Sequence, residues 1–159
     1  MSHQVLIQNY LAGIDQLRDA LRGLSPEQLK ATPVPGKWST LQVVCHLADF
    51  EPIYADRIKR VISEDQPLIL SGDPDLFAAH LAYLDRDVEE ELAVIASIRT
   101  QLARILSTLP EAAFQRTGTH STDGPISLET LLIRITNHLP HHIKFILEKR
   151  AALHSAPNG

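Results

Sequence analysis

Asn137-His138-Leu139-Pro140-His141-His142 is the stretch of this chain that decides the fold. It lies in a segment whose apolar residues recur at steps of three and four, the spacing of one face of an α-helix. That face carries positions 131, 135, 138, 142 and 146, which are Leu, Ile, His, His and Ile. His138 and His142 are therefore one turn apart on an apolar face, and we expect both imidazoles to point into the protein.

Three more segments share this helical periodicity. We predict a first helix from about His3 to Leu24 and a second from the Ser39 cap to a linker at residues 64–74. The third is predicted as one long helix from Asp75 to Leu109, although Asp85-Arg86-Asp87 offers a place for a break. The fourth begins after the Ser127 cap and ends near Ala152. Four amphipathic helices with little strand signal predict an all-α protein, a four-helix bundle.

The connections between these helices limit the topology. Fully extended, the linker at residues 64–74 spans roughly 35 Å, which is enough for a parallel crossover between the second and third helices. Residues 110–126 form a loop with a turn at Asp123-Gly124, where a small hairpin is possible. We predict a single domain over residues 1–152 and a disordered tail over residues 153–159.

Composition narrows the class of protein. The chain has 159 residues and a net charge of −4 without a basic stripe, which argues against nucleic acid or a membrane as a partner. A single cysteine, Cys45, excludes an internal disulfide and favours a reducing compartment. We see no signal peptide and no apolar run of the roughly 20 residues that a membrane span needs, so a cytoplasmic protein is expected.

His46, in the second helix, adds a third histidine to the set. It borders the apolar stripe of that helix, about two turns beyond the Ser39 cap. If the second and fourth helices are neighbours, His46, His138 and His142 can converge in the bundle interior, where bundles often build ligand sites. Neutral imidazoles suit Zn, Ni, Fe and Cu, and three protein ligands leave positions open for water or substrate.

A structural alternative stands beside this metal hypothesis. A histidine on an apolar face is more often a satisfied core residue than a ligand, and two histidines four residues apart are weak evidence without the third. His141 points about 100° away from His142 around the helix, so we predict that it lies on the flank and is not a ligand.

Two motifs resemble a known family. The segment Gly36-Lys37-Trp38-Ser39-Thr40, followed by Val44-Cys45-His46-Leu47-Ala48-Asp49-Phe50-Glu51, is similar to the second-helix signature of DinB-like proteins. The stretch at residues 137–142 is similar to the histidine motif of that superfamily's last helix. The resemblance implies a four-helix bundle with an up-down-down-up order and a divalent metal held by His46, His138 and His142.

The same resemblance implies several activities. The superfamily includes metal-dependent thiol transferases and isomerases that use low-molecular-weight thiols, YfiT-like hydrolases and many members without a known activity, and homodimers are common. One departure is Phe145, because many relatives have Gln three residues after the last ligand histidine. A polar contact present in those relatives is therefore expected to be missing here.

These observations lead to competing functions. The first is a metal-dependent hydrolase or thiol transferase, in which the metal lowers the pKa of a bound water or thiol. The alternative is a non-catalytic module that binds metal or a small ligand in a stress response, and a purely structural dimer is the third. Metal identity among Zn, Ni and Fe, the substrate and the catalytic residues are left open, and a homodimer is predicted.

Four neighbouring residues have open roles. Asp49, three residues after His46, is either a hydrogen-bond acceptor behind the ligands or a solvated carboxylate. Glu51 is a weaker candidate because it lies about 140° from His46 in an ideal helix. Trp38 either lines a pocket or packs at the helix start, with packing preferred. Cys45, among Val and Leu, is predicted to be a packing residue.

Overall fold

Four long helices form the bundle, and a small sheet closes one of its ends. The computed structural model describes residues 2–155. The long helices are α1 (His3–Leu21), α3 (Thr40–Ser63), α5 (Val88–Leu106) and α6 (Leu128–Ser155), and the short ones are α2 (Pro26–Lys30) and α4 (Pro74–His80). A 3₁₀ turn spans Glu111–Gln115, and the strands are β1 (Leu68–Ile69), β2 (Thr117–His120) and β3 (Gly124–Ser127).

Contacts between helix ends give the relative directions of the four long helices. His3 at the start of α1 meets Glu129 at the start of α6, so these two helices run parallel. Arg116 donates to the carbonyl of Val61 at the end of α3 and accepts from Leu128 at the start of α6, so α3 and α6 run antiparallel.

Helix α5 completes the order. The side chain of Lys59, late in α3, donates to Gln101, late in α5, at 2.7 Å, so α3 and α5 are parallel. The helices therefore run up, down, down and up, and the predicted four-helix bundle is confirmed. The long connection between α3 and α5 is the parallel crossover that the linker length allowed.

The predicted helix starts are set by side-chain caps. Ser39 and Gln42 form a reciprocal capping box at the start of α3, with bonds of 2.8 and 3.2 Å. Ser127 accepts from the backbone N–H of Thr130 at 3.1 Å at the start of α6. These caps fix where each helix begins and hence how far along it each histidine lies.

The predicted third helix is wrong as a single element. Residues 81–87 interrupt it, so α4 and α5 are separate helices. Ala82 adopts a left-handed backbone with φ 51°, and Asp87 caps α5 by accepting from the N–H groups of Glu89 and Glu90. The first helix stops at Leu21, and the short helix α2 follows it.

The last helix is longer than predicted. It continues to Ser155, so residues 153–155 of the expected tail are helical, and residues 156–159 lie outside the described part of the chain. No helix within residues 2–155 is long and apolar enough to cross a membrane.

The hairpin predicted at Asp123-Gly124 is present, and the sheet is larger than expected. β2 and β3 pair antiparallel around that turn, and β1 from the crossover adds a parallel third strand. At Gly118 a Cβ atom would lie 2.8 Å from the Ile69 side chain, so glycine allows the strands to approach here. The sheet fixes the crossover at the end of the bundle where α6 begins.

The apolar core has two parts, one on either side of a polar layer. One part includes Tyr10, Ala55, Leu102 and Ile135, and the other includes Ile14, Ala48, Ile95 and Leu139. On α3, α5 and α6 the residues between these pairs include Glu51, Arg99 and His138. Glu51, Arg99 and His138 therefore lie at one level of the bundle, between the two parts of the apolar core.

Candidate metal centre

The structure brings His46, His138 and His142 together between α3 and α6. Their ring centroids are 5.0 Å apart for His46 and His138, 4.7 Å for His46 and His142, and 4.8 Å for His138 and His142. Each ring offers a nitrogen that lies within 4.8 Å of the nitrogens of the other two. The Nε2 atoms of His46 and His138 face each other at 3.0 Å.

Helix geometry produces this triangle. His138 and His142 are separated by one turn of α6, so their side chains leave the helix on the same side. Because α3 runs antiparallel to α6, the early part of α3 that carries His46 passes the middle of α6. The predicted convergence of the three side chains is therefore present, while their binding of a metal stays a prediction.

Burial keeps the three imidazoles neutral. His46 is only 5% exposed, and burial lowers its pKa to about 4. Burial also lowers the pKa of His138 to about 3, helped by the charges of His142 and His46. The pKa of His142 falls to about 4, again mainly through burial and then through His46. At neutral pH the cluster therefore presents unprotonated nitrogens, the form that binds metals.

The donor set fits a divalent transition metal. Ligand nitrogens at about 2.1 Å from a tetrahedral ion lie roughly 3.4 Å from one another. The observed separations begin at 3.0 Å and do not exceed 4.8 Å, so small side-chain rotations suffice. Apart from the contact between their Nε2 atoms, the rings of His46 and His138 are not held by hydrogen bonds, because their buried Nδ1 atoms have no partner within residues 2–155.

Aromatic side chains surround the imidazoles. Phe50 lies 4.7 Å from His46 and 6.2 Å from His138, Trp38 lies 5.5 Å from His46, and Tyr54 lies 6.5 Å from His138, all between ring centroids. Such walls limit the access of water and lower the local dielectric.

The cluster reaches solvent on the side of His142. A pocket of about 450 Å³ is lined there by His142, Trp38 and Phe145 together with charged residues of α6 and of the loop before α3. The pocket role considered for Trp38 is therefore present, together with its packing against His46. A larger cavity of about 720 Å³, which includes Arg57 and Phe77, is lined by none of the three histidines.

His141 and Phe145 flank the cluster. The His141 side chain is exposed, its ring is nearly perpendicular to that of His142, and it is outside the group of three. The ring of Phe145 lies 5.7 Å from that of His142 and offers no polar atom to it. At the position where the family resemblance implied Gln, this chain therefore has an apolar wall.

Asp49 does not act as the acceptor behind His46. Its carboxylate makes a two-pronged ion pair with Arg86, with N–O distances of 2.9 and 3.0 Å, and Arg86 also binds Glu91. This ion pair joins α3 to the break before α5. Neither alternative considered for Asp49 is correct, because its carboxylate is partly buried and paired with Arg86. Local spacing could not identify this partner, which is distant in sequence.

Glu51 belongs to a buried network that sequence reasoning missed. Arg99 donates to both carboxylate oxygens of Glu51, at 3.1 and 3.0 Å, and Tyr10 donates to the same carboxylate at 2.5 Å. Arg99 also donates to the carbonyls of Tyr10 and Ile135. The side chains of Arg99 and Glu51 are completely buried.

A sequence signal for this network exists. Glu51 follows Leu47 by four residues, and Arg99 follows Ile95 by four, so both occupy apolar stripes. Opposite charges on the inward faces of two helices are typical of a buried pair. Gly13 leaves the space, because a Cβ atom there would lie 2.5 Å from Arg99 Nη1.

Cys45 is a packing residue, as predicted. It is completely buried, its Sγ donates to the carbonyl of Tyr83 at 3.4 Å, and burial raises its pKa to about 12. The thiol is therefore protonated and inaccessible at neutral pH.

Comparison with known proteins decides the family. The sequence profile of the DinB superfamily matches residues 10–146. The chain belongs to the DinB superfamily. A protein of Geobacillus thermodenitrificans, named "Putative metal-dependent hydrolase", is 30% identical over 149 residues, which are 91% of this chain and 84% of that protein. YfiT of Bacillus subtilis, with the same descriptive name, is 29% identical over 134 residues, 84% of this chain and 75% of YfiT.

A solved structure of a similar protein has the same fold. The structure of YfiT from Bacillus subtilis, described as a probable metal-dependent hydrolase with an unusual four-helix bundle topology, superposes with a TM-score of 0.87 and 27% identity. The match covers 94% of this chain and 86% of YfiT. This DinB protein is thus a YfiT-like four-helix bundle that carries a three-histidine site.

Proposed function

We propose that this protein is a metal-dependent hydrolase whose divalent ion is held by His46, His138 and His142. The observation that carries the proposal is the triangle of neutral imidazoles, one buried and two partly buried, at the end of a pocket. The descriptive names of the relatives from Geobacillus and Bacillus support it. A divalent ion held there supplies Lewis-acid chemistry, which brings the pKa of a bound water near neutrality.

The chain's own residues provide binding and exclusion. The three histidines bind as neutral donors, since burial keeps their pKa values well below neutrality. Phe50 and Trp38 keep bulk water away from two sides of the cluster, and substrate enters from the side of His142. Glu51 is already bound by Arg99 and Tyr10, so its carboxylate is not free to act as a base.

Thiol transfer is the second enzymatic proposal for the same site. Cys45 cannot provide the thiol, because it is buried and protonated. The reaction would require a low-molecular-weight thiol from solution that enters the pocket beside His142. The third proposal is a module that binds metal or a small ligand without turnover.

Metal identity, assembly and location are further proposals. Three imidazoles suit Zn, Ni or Fe. A homodimer is proposed from the family resemblance, and light scattering at tens of micromolar checks it, since a monomeric mass contradicts it. We also propose that the protein works in the cytoplasm, on the evidence of a single cysteine left as a thiol.

A substrate screen on metal-loaded protein tests the function. Protein purified without a nickel column is loaded with Zn, Ni or Fe in turn and assayed with ester and amide panels, and with thiol acceptors in the presence of small thiols. We expect hydrolysis that depends on the metal, that is lost in His142→Ala and that is kept in His141→Ala. Thiol transfer without hydrolysis would contradict the hydrolase proposal and support the thiol transferase. Metal binding without any turnover would support the non-catalytic module.

A further inference from the structure

We propose, building on the function above, that the pocket beside His142 binds the carboxylate of an organic substrate through Lys149, with Lys37 at its mouth. Both lysines line this pocket, and its remaining wall is largely apolar, formed by Trp38 and Phe145. The proposal assigns a substrate class, a small organic carboxylate, to the site that the histidines form.

Lys149 is a buried cation with few partners. It is 3% exposed, and its Nζ makes one hydrogen bond in the described part of the chain, a long one of 3.4 Å to the carbonyl of Phe145. An ammonium has three donors, so two are left for a ligand. Burying a charge with so little compensation is unfavourable, and burial accordingly lowers the pKa of Lys149. A bound anion would remove this cost.

Lys37 adds a second positive charge at the same pocket. It is exposed in the loop before α3, and its charge acts unfavourably on Lys149. The one carboxylate in the lining is Glu148, which is exposed and compensates only one of the two lysines. With His142 neutral, the pocket carries an excess of positive charge, so an anion is the ligand that its electrostatics favour.

The position of Lys149 relative to His142 sets the shape of the substrate. The two residues are seven apart in α6, which is two turns on the same face and about 10 Å along the helix. The pocket between them has a volume of about 450 Å³, within the range of small-molecule sites. A substrate with its carboxylate on Lys149 would extend along Trp38 and Phe145 and bring its other end to the histidines.

The only tryptophan of the chain reports on this pocket. Trp38 lines it, so ligand binding should change its fluorescence without any need for turnover. The probes are phenylacetate, its neutral analogue phenylacetamide and inorganic phosphate, each titrated into metal-free and zinc-loaded protein. We expect saturable binding of phenylacetate in both forms, at least tenfold weaker binding of phenylacetamide, and phosphate weaker than phenylacetate.

Matched variants separate the lysine from general charge effects. Lys149→Gln should weaken phenylacetate binding about tenfold or more, Lys149→Arg should restore most of it, and Lys37→Gln should weaken it a few-fold. Lys144→Gln is the control, since it removes an exposed charge from the same helix outside the pocket. If Lys149→Gln does not fold, Lys37→Gln and the phenylacetamide titration still test whether the pocket binds a carboxylate.

Three results would overturn the proposal. They are equal binding of phenylacetate and phenylacetamide, unchanged binding in the folded lysine variants, and tighter binding of phosphate than of phenylacetate. The metal-free titration keeps this test separate from the hydrolase proposal. Lysine-dependent binding without hydrolysis contradicts only the proposed function, and hydrolysis without lysine-dependent binding contradicts only the carboxylate site.

Discussion

Two polar clusters lie within two turns of each other on α3, and they differ in how completely they are hydrogen-bonded. Glu51 binds Arg99 and Tyr10, and Arg99 donates to two further backbone carbonyls. In the histidine cluster, Nδ1 of His46 and of His138 has no partner within residues 2–155. One cluster is complete within the protein, and the other leaves buried polar atoms unpaired.

This difference distinguishes a buried cluster with a structural role from a cluster that forms a ligand site. A buried ion pair with all its hydrogen bonds holds α1, α3, α5 and α6 in register, and it needs nothing from solution. The unpaired Nδ1 atoms of His46 and His138 lower the stability of the protein, since buried polar groups without partners are unfavourable. An ion bound by the three rings would stabilise the folded protein through its own binding free energy, and the following predictions test the contrast.

The largest effect is expected in the complete network. Arg99→Met leaves Glu51 buried without a counter-charge and should lower the free energy of unfolding by about 3–5 kcal/mol. Urea denaturation measures it. The double variant Arg99→Met with Glu51→Met should recover part of the loss, because no uncompensated charge remains. A cost below about 1 kcal/mol for the single variant would show that the network is not a structural clamp.

The histidine cluster should respond in the opposite way. In metal-free protein, His138→Leu should change the free energy of unfolding by less than about 1 kcal/mol, since the gain from removing an unpaired buried Nδ1 opposes the loss of the Nε2 contact with His46. Zinc at about a hundred times its Kd should stabilise the wild type by roughly 2.7 kcal/mol and should not stabilise this variant. Thermal unfolding with and without zinc measures both effects. A metal-free His138→Leu protein destabilised by more than about 2 kcal/mol would indicate a structural role for His138.

Lowering the pH should destabilise the metal-free protein, because its histidines are neutral in the folded state. The pKa values of about 4, 3 and 4 for His46, His138 and His142 lie below the 6.5 of an unfolded chain. As pH falls below about 6.5, the unfolded state takes up protons first, so stability should fall between pH 6.5 and about 4. Urea midpoints across this range, compared with those of His138→Leu, measure the effect. Equal slopes in both proteins would contradict it.

The smallest effect is expected at Asp49. Asp49→Asn weakens a partly exposed ion pair with Arg86 and should cost about 1 kcal/mol or less. Zinc affinity should change by less than about threefold, whereas loss of an acceptor behind a ligand histidine typically costs ten- to a hundredfold. A zinc titration of the variant decides between these values. A tenfold loss of zinc affinity would indicate that Asp49 does act as an acceptor behind the ligand histidines.

Local sequence signals predicted the parts of this structure that depend on single helices. The Ser39 capping box and the apolar spacing around His138 and His142 fix helix position and facing direction without reference to distant residues. The proximity of α3 and α6 did not follow from periodicity alone. It came from the family resemblance, which also implied the up-down-down-up order.

Features that depend on tertiary contacts were missed or wrong. The single long third helix was wrong, although the Asp85-Arg86-Asp87 run had indicated a place for its break. Arg86, within that break, pairs with Asp49 on another helix. β1 is two residues long and pairs with β2, which lies far along the chain. Glu51 was ranked low as a site residue because of its angle to His46. Its actual partner, Arg99, is 48 residues away and was not identified. Such pairings are set by distant partners that local patterns do not identify.

Metal stoichiometry tests the central claim most directly. Wild type, His142→Ala and His141→Ala are purified without a nickel column, titrated with zinc and analysed for bound metal by elemental analysis after removal of excess ion. The account predicts one divalent ion per chain in wild type and in His141→Ala, and almost none in His142→Ala. Retention of metal by His142→Ala, or equal and negligible metal in all three proteins, would contradict the three-histidine site.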